Sequence, residues 1–299
     1  MRAASRRALV LAGGGSAGNA WQIGVIAGLL EAGLDVTVAD LIIGTSAGAT
    51  AAAQITGAVR PKELLASIVA ASPQRPPLAS CPGQDLHRPS AEHLQVTGAI
   101  IAASSDAADM RRRMGAAALA ADRAADPSAP VQRRAMVAAR FSSHVWPMTR
   151  LLIVAVDAHT GEPVVFDRDS GVDLVDAVTA SCAGGFGPFP PHSIGNRRYI
   201  DGGYRSVANA DLAAGSGRVL VLAPFGFRSR TPREWGIDLA AQVEEPRVRG
   251  SRVETIVPDE KSREAFGVDV MAPSTRAPAA GAGYGQGRAL AVGLSAFWR

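Results

Sequence analysis

The chain has 299 residues, enough for one large domain or for one domain with an insertion. Hydrophobic residues make up 47% of it and charged residues 19%, an ordinary globular composition. The formal net charge is +4, but no recognition motif or interleaved aromatic run accompanies it, which argues against nucleic acid as a partner. The short arginine runs at 111–113 and 133–134 fit a solvated helix face, and the alternative is attraction to anionic surfaces, lipid head groups among them.

The N-terminal segment raises the question of a signal peptide or a membrane span. Arg6 and Arg7 precede an uncharged stretch over 8–30, which is long enough for either. The apolar run at 8–12 is short for a signal core, however, and a glycine triplet follows it at once. A strand, a glycine turn and a helix fit this segment better, so a cytoplasmic protein is expected.

The next elements alternate between helix and strand. Apolar residues recur at helical spacing over 20–31, and Gly33 then supplies a C-terminal stop. A second buried strand follows at 41–43, and an alanine-rich helix at 49–58. This succession predicts a parallel sheet that is covered by helices on both faces.

The middle of the chain interrupts the pattern. Residues 72–90 contain five prolines and predict a loop or linker. Residues 91–145 are predicted to be mainly helical, and we interpret about 60–150 as an insertion that could cover a cleft. The regular elements predicted after it are strands at 151–156, 164–166, 219–223 and 253–257, and helices at about 172–181 and 259–266. Residues 183–195 are predicted to be irregular, and the tail to be a glycine-, alanine- and proline-rich stretch at 277–287 before a short helix.

Residues 13–18, Gly-Gly-Gly-Ser-Ala-Gly, form the first of three informative motifs. They satisfy G-x-G-x-x-G between a strand and a helix, the context of a dinucleotide fingerprint. Backbone N–H groups of such a loop converge on negative charge, which could be a pyrophosphate or a developing oxyanion. The motif alone leaves both readings open.

The second motif follows the strand at 41–43. A nicotinamide enzyme would place an acidic residue there, but the chain continues with the sequence Gly-Thr-Ser-Ala-Gly over 44–48. This is G-x-S-x-G in the strand–turn–helix setting of a nucleophile elbow, with Ser46 at its centre. The crowded turn requires small neighbours, and Gly44, Ala47 and Gly48 provide them. Ser16 is the centre of a second G-x-S-x-G match that also follows a strand.

The third motif is Asp201 followed by Gly202 and Gly203, which taken alone is a turn signal. A serine hydroxyl is a weak nucleophile and needs an oriented base. Because Ser46 is a candidate nucleophile, Asp201 becomes a candidate for that base.

Histidine is the usual base, and an α/β-hydrolase triad runs in the order Ser, acid, His. No histidine follows His192. The pairs that satisfy the order are Asp157 or Asp173 with His192, and Asp157 with His159. An ordinary triad esterase of this kind would lose activity on His192→Ala.

The glycine-rich loop, the Gly-Thr-Ser-Ala-Gly elbow and the distant Asp-Gly-Gly, in that order, resemble the bacterial members of the patatin-like phospholipase family. The resemblance covers roughly 7–58 and 150–225. It implies a three-layer α/β/α fold with a mostly parallel central sheet and a helical insertion. We therefore expect a catalytic domain over 7–225, including the insertion, and a C-terminal extension over 226–299 packed on the same domain.

The resemblance also implies roles for single residues. Ser46 would be the nucleophile and Asp201 the general base, with no histidine between them. The backbone N–H groups of Gly13, Gly14 and Gly15 would form the oxyanion hole. No metal or organic cofactor is expected.

The implied function is a serine acyl hydrolase that cleaves carboxylic esters of lipids through an acyl-enzyme, with a lipid or other acyl ester as its partner. The resemblance is imperfect at Ala17, where the family often carries a basic residue, and at Gly184 and Gly185, where a bulkier turn is common. An acyl-lipid-binding protein of weak catalytic power therefore stays open, as does the nucleotide-binding oxidoreductase. Association with an anionic membrane surface is an expectation, and the sequence predicts neither the lipid class nor the oligomeric state.

Overall fold

A computed structural model describes residues 6–71, 88–122, 128–187 and 189–299. The predicted proline-rich loop lies outside the described residues over 72–87, and its last three residues, 88–90, are helical. The strands of the described residues are β1 (Arg7–Leu11), β2 (Leu41–Thr45), β3 (Arg150–Asp157), β4 (Pro163–Phe166), β5 (His192–Ile194), β6 (Arg197–Asp201), β7 (Arg218–Leu222) and β8 (Arg252–Ile256).

These strands form one sheet in the order β5-β6-β3-β2-β1-β7-β8, with β4 also paired to β3. Five adjacent strands pair with one another in parallel, in the order β3, β2, β1, β7 and β8. β4, β5 and β6 add antiparallel pairs at one side of the sheet. The prediction of a mostly parallel sheet is confirmed, and β5 shows that part of the segment expected to be irregular is a short edge strand.

Helices surround the sheet. They are α1 (Gly15–Glu31), α2 (Ala47–Ile55), α3 (Pro61–Ala70), α4 (Arg88–Ala102), α5 (Ala107–Asp122), α6 (Ala129–Ala138), α7 (Leu174–Ser181), α8 (Leu239–Val248), α9 (Glu260–Phe266) and α10 (Arg276–Trp298). The described part of the insertion is mainly helical, as expected, since it contributes α3 to α6. None of the helices in the described ranges is both long and apolar enough to cross a bilayer.

Alternation along the strands divides the core between two faces. Leu9 and Leu11 of β1 pack in the cluster that contains α1, α2 and α7, whereas Ala8 and Val10 pack in the cluster that contains α8. Successive side chains of a strand point to opposite faces, so each face buries its own apolar layer. This arrangement confirms the three-layer α/β/α architecture.

The C-terminal helix differs from the expectation at 277–287, because that stretch lies inside one continuous helix, α10. A Cβ atom added at Gly24 would overlap the carbonyl oxygen of Ala280, and one added at Gly287 would overlap that of Val25. The backbones of α1 and α10 therefore touch, which only glycine allows at these positions. Tertiary packing thus outweighs the low helix propensity of the glycines.

The close contact between α1 and α10 implies that a larger residue at Gly24 lowers the stability of the protein. Gly24→Ala is expected to destabilise the protein by about 1–3 kcal/mol, because the helices must separate to admit the methyl group. Gly281→Ala on α10 is the matched control, since nothing lies within 4 Å of its Cβ position. It is expected to stabilise by up to about 1 kcal/mol through helix propensity. Urea unfolding measures both, and an unchanged or raised midpoint for Gly24→Ala would contradict the close approach.

Candidate active site

Ser46 lies on a strained turn between β2 and α2. Its backbone has φ 54° and ψ −119°, a conformation that costs energy for a residue other than glycine and that is found at functional turns. A Cβ added at Gly48 would overlap the carbonyl oxygen of Leu11, and one at Gly44 would lie 2.6 Å from the Cα of Ala49. Backbone therefore surrounds the turn on both sides. Ser46 is nevertheless the one residue of 41–55 that is not buried, so its hydroxyl can be reached.

Asp201 ends β6 and comes to the same edge of the sheet. β3 links the two segments, because Val154 is in register with Thr45 of β2 and its carbonyl oxygen packs against Gly202. Across this junction the Ser46 Oγ donates a hydrogen bond of 2.6 Å to the Asp201 Oδ2. Two residues that are 155 positions apart in the chain are thus in direct contact.

The second oxygen of Asp201 is also held. Its Oδ1 accepts a hydrogen bond of 2.7 Å from the Gly203 N–H, which fixes the orientation of the carboxylate. Burial raises the pKa of Asp201 to about 6, although the hydrogen bonds from Ser46 and Gly203 and the charge of Arg133 oppose the shift. The carboxylate is therefore more basic than an ordinary aspartate but still ionised at neutral pH.

Residues that no motif singled out support the turn. The Ser46 N–H donates to the Ser181 Oγ at 2.9 Å, and the Cys182 thiol donates to the Ser46 carbonyl at 3.1 Å. Asn209, in a left-handed conformation with φ 54°, donates to the Thr45 Oγ1 at 2.9 Å. Ser181, Cys182 and Asn209 lie outside the three motifs, so the sequence did not predict these contacts.

The glycine loop adjoins the nucleophile, since a Cβ at Gly13 would lie 3.6 Å from the Ser46 Cβ. The Gly13 N–H, however, donates to the Val207 carbonyl at 2.8 Å and is not free to bind an oxyanion. The backbone N–H groups of Gly14 and Gly15 have no such backbone partner in the described ranges. Of the three glycines predicted to bind an oxyanion, Gly14 and Gly15 are the candidates whose N–H groups remain available in this structure.

The same loop does not suit a dinucleotide. The Ala17 N–H, in the first turn of α1, donates to the carbonyl of Val270 at 2.9 Å. A Cβ at Gly15 would lie 2.8 Å from the Met271 sulfur. The chain itself thus covers the helix start and uses an amide that a pyrophosphate would need.

His192 makes contacts other than those that a catalytic triad requires. His192 is buried, and its Nε2 lies 2.8 Å from the Asp176 Oδ1. Burial raises the pKa of Asp176, but hydrogen bonds from His192 and Arg134 outweigh it and lower the value to about 2. Asp157 accepts instead from the Arg197 guanidinium at 2.9 Å. His192 therefore pairs with neither acid that the triad reading offered.

The sheet and this edge define an α/β protein in which a serine and an aspartate meet without an intervening histidine. The family model of the patatin-like phospholipases matches residues 9–214, and the chain belongs to that family of lipid acyl hydrolases. The matched range contains Ser46, Asp201 and the helical insertion. The described residues hold no group of His, Cys, Asp and Glu side chains that is arranged for a metal ion.

No curated protein matches the sequence. Among solved structures, the chain is similar to the crystal structure of VipD from Legionella pneumophila, with 13% sequence identity and a TM-score of 0.43. That alignment covers 97% of this chain and 67% of VipD.

Proposed function

We propose that this protein is a serine acyl hydrolase that cleaves carboxylic ester bonds of lipids by a Ser46–Asp201 dyad. The observation that carries the proposal is the hydrogen bond of 2.6 Å from the Ser46 Oγ to the Asp201 Oδ2. A hydroxyl that already donates to a base is oriented for proton transfer. The family match makes a lipid ester the natural substrate, with phospholipase A or lysophospholipase activity as the finer expectation.

In the first half of the reaction the Ser46 oxygen attacks the ester carbonyl carbon while Asp201 accepts the serine proton. The carbonyl oxygen becomes an oxyanion, which the Gly14 and Gly15 amides stabilise together with the Ala47 amide at the start of α2. The carbon–oxygen bond to the alcohol then breaks, and the alcohol leaves with the proton from Asp201. The product on the enzyme is an acyl ester of Ser46.

Water completes the cycle. Asp201 accepts a proton from a water molecule as its oxygen attacks the acyl carbonyl, and a second oxyanion forms at the same amides. Collapse of this intermediate breaks the bond to the Ser46 oxygen, which takes back the proton. The carboxylic acid is released and the dyad is restored.

The raised pKa of Asp201 predicts an acid limb in the pH–rate profile. The base is the ionised carboxylate, so it is present above a pKa of about 6 and is lost as the pH falls through that value. For an ester without ionisable groups, kcat/KM is expected to fall about tenfold per pH unit below that point. A rate that stays constant down to about pH 4, near the ordinary aspartate pKa, would contradict the assignment.

We also propose that the catalytic domain spans 7–225 with the insertion and that 226–299 is an extension packed on the same domain. Parallel pairing of β8 with β7 and the contact of α10 with α1 support the packing of this extension on the catalytic domain. The net positive charge supports peripheral contact with anionic membranes, and we place the protein in the cytoplasm on the sequence argument alone.

A panel of phospholipid, lysophospholipid, neutral glyceride and short-chain ester substrates tests the function. We expect release of fatty acid from at least one class, which a non-catalytic acyl-lipid-binding protein would not give. Binding of the same lipids without any acyl release would overturn the proposal.

A further inference from the structure

Three arginines near the candidate site have no acidic partner among the residues that the structure describes. Within the described ranges, none of the ion pairs includes Arg133, Arg140 or Arg276. Burial is the main cause of a lowered pKa at Arg133 and Arg276, and repulsion by Arg140 adds to it at both. Arg140 is therefore close enough to repel each of the other two cations, and an anion would relieve that repulsion.

Arg133, on α6 of the insertion, is close enough to the dyad for its charge to act on Asp201. Its guanidinium carbon is 4.6 Å from the centroid of the Phe189 ring. The Phe189 carbonyl accepts a hydrogen bond from Gly185, and the Ala183 carbonyl accepts one from the Asp201 N–H, each at 2.7 Å. The turn that carries the aromatic ring is thus bonded to the end of β6, the strand that Asp201 ends.

The guanidinium of Arg133 is poorly supplied with acceptors. Its Nε is buried and has no hydrogen-bond partner among the described residues, and its Nη1 donates to a weak acceptor, the Met136 sulfur, at 3.5 Å. Arg134, the next residue, shows the contrast, because its Nε and Nη2 bind both oxygens of Asp176 at 2.7 and 3.0 Å. A buried donor without an acceptor is costly, so the empty donors of Arg133 suit a ligand that supplies oxygen atoms.

We propose that Arg133 is a specificity-determining residue that binds a phosphate group of the substrate a few bonds from the scissile ester. The planar guanidinium can donate to two phosphate oxygens at once. The neighbouring Arg140 and Arg276 favour a group that carries more than one negative charge. This inference deepens the proposed function and rests on it for the position of the ester.

A matched pair of substrates tests the role of Arg133. The pair is a 1-acylglycerol 3-phosphate and the neutral 1-acylglycerol with the same acyl chain, assayed at pH 8, where Asp201 is ionised in every variant. Arg133→Gln is expected to lower kcat/KM for the phosphate ester at least about tenfold and to leave the neutral ester within about twofold. Arg133→Lys should restore part of the loss. Arg113→Gln is the control, since Arg113 is half exposed and paired with Asp109 on α5.

Binding of the same two lipids to the Ser46→Ala protein, with and without Arg133→Gln, separates recognition from hydrolysis. The phosphate lipid should lose at least about tenfold in affinity and the neutral lipid should not. Glycerol 3-phosphate, which has no acyl chain, should bind at least about tenfold more weakly than the acyl phosphate. Equal binding of the two phosphates would overturn the assignment to the substrate.

Two further outcomes would also overturn the inference. Equal losses for both lipids would mean that Arg133 supports the fold or the dyad, and an upward shift of the acid limb with an unchanged substrate ratio would mean that it acts on Asp201 alone. Hydrolysis that survives Ser46→Ala would instead refute the proposed function and leave the binding comparison valid.

Discussion

The Ser46→Ala protein is expected to hydrolyse esters at least about 10⁴-fold more slowly than the parent protein, with no change of fold. The substitution removes the atom that would form the acyl-enzyme. Alanine keeps the Cβ and the strained backbone, so the turn and its contacts with Ser181 and Cys182 persist. Steady-state kinetics on the best ester of the lipid panel measure the loss, and circular dichroism verifies the fold.

Ser16→Ala is the matched control, because Ser16 is the centre of the second G-x-S-x-G match. It lies in the first turn of α1, where its hydroxyl oxygen accepts a weak hydrogen bond of 3.4 Å from Arg276. We expect its activity to stay within a few fold of the parent value. Loss of activity in Ser16→Ala together with retention in Ser46→Ala would move the nucleophile to the other motif.

The Asp201→Asn protein is expected to lose about 10²–10⁴-fold in kcat. The amide has the size of the carboxylate and can still accept the Gly203 hydrogen bond, but it cannot take the proton of Ser46. Thermal stability should be preserved or raised, since burial no longer penalises a charge. The measurement is kcat across pH 5–9, where the variant should also lack the acid limb near pH 6.

His192→Ala serves as the comparison for Asp201→Asn. His192 contacts Asp176 and has no bond to Ser46, so the variant should lose stability but keep most of its activity once folded. If the activity of His192→Ala fell as far as that of Ser46→Ala while the activity of Asp201→Asn did not, a histidine triad would replace the dyad as the explanation.

Much of the fold was readable from the sequence because its signals are local. The strands that became β1, β2, β3 and β7 are short runs of buried apolar residues between glycines and helices, and they come close to the predicted bounds. The helix at 259–266 is likewise confirmed as α9. The prediction for 277–287 was wrong because the glycines there serve a contact between α1 and α10, which lie far apart in the chain.

The candidate site likewise has features that could be predicted from local sequence and features that depend on distant contacts. Ser46 and Asp201 were identifiable because each lies in a short motif whose order along the chain is specific. The use of the Gly13 N–H by Val207 was not foreseeable, since it depends on a loop nearly two hundred positions later. Arg133 was noticed in the sequence only as part of a short charged run, because a missing partner can be recognised only when the surroundings of the guanidinium are known.

Covalent labelling tests the central claim most directly. The protein is incubated with a fluorophosphonate, which reacts with activated serines, and the adduct is located by mass spectrometry of peptides. A Ser46–Asp201 dyad predicts one adduct on Ser46, formed much more slowly in Asp201→Asn and at an unchanged rate in Ser16→Ala. An adduct on a different serine, or ester hydrolysis with Ser46 left unmodified, would contradict it.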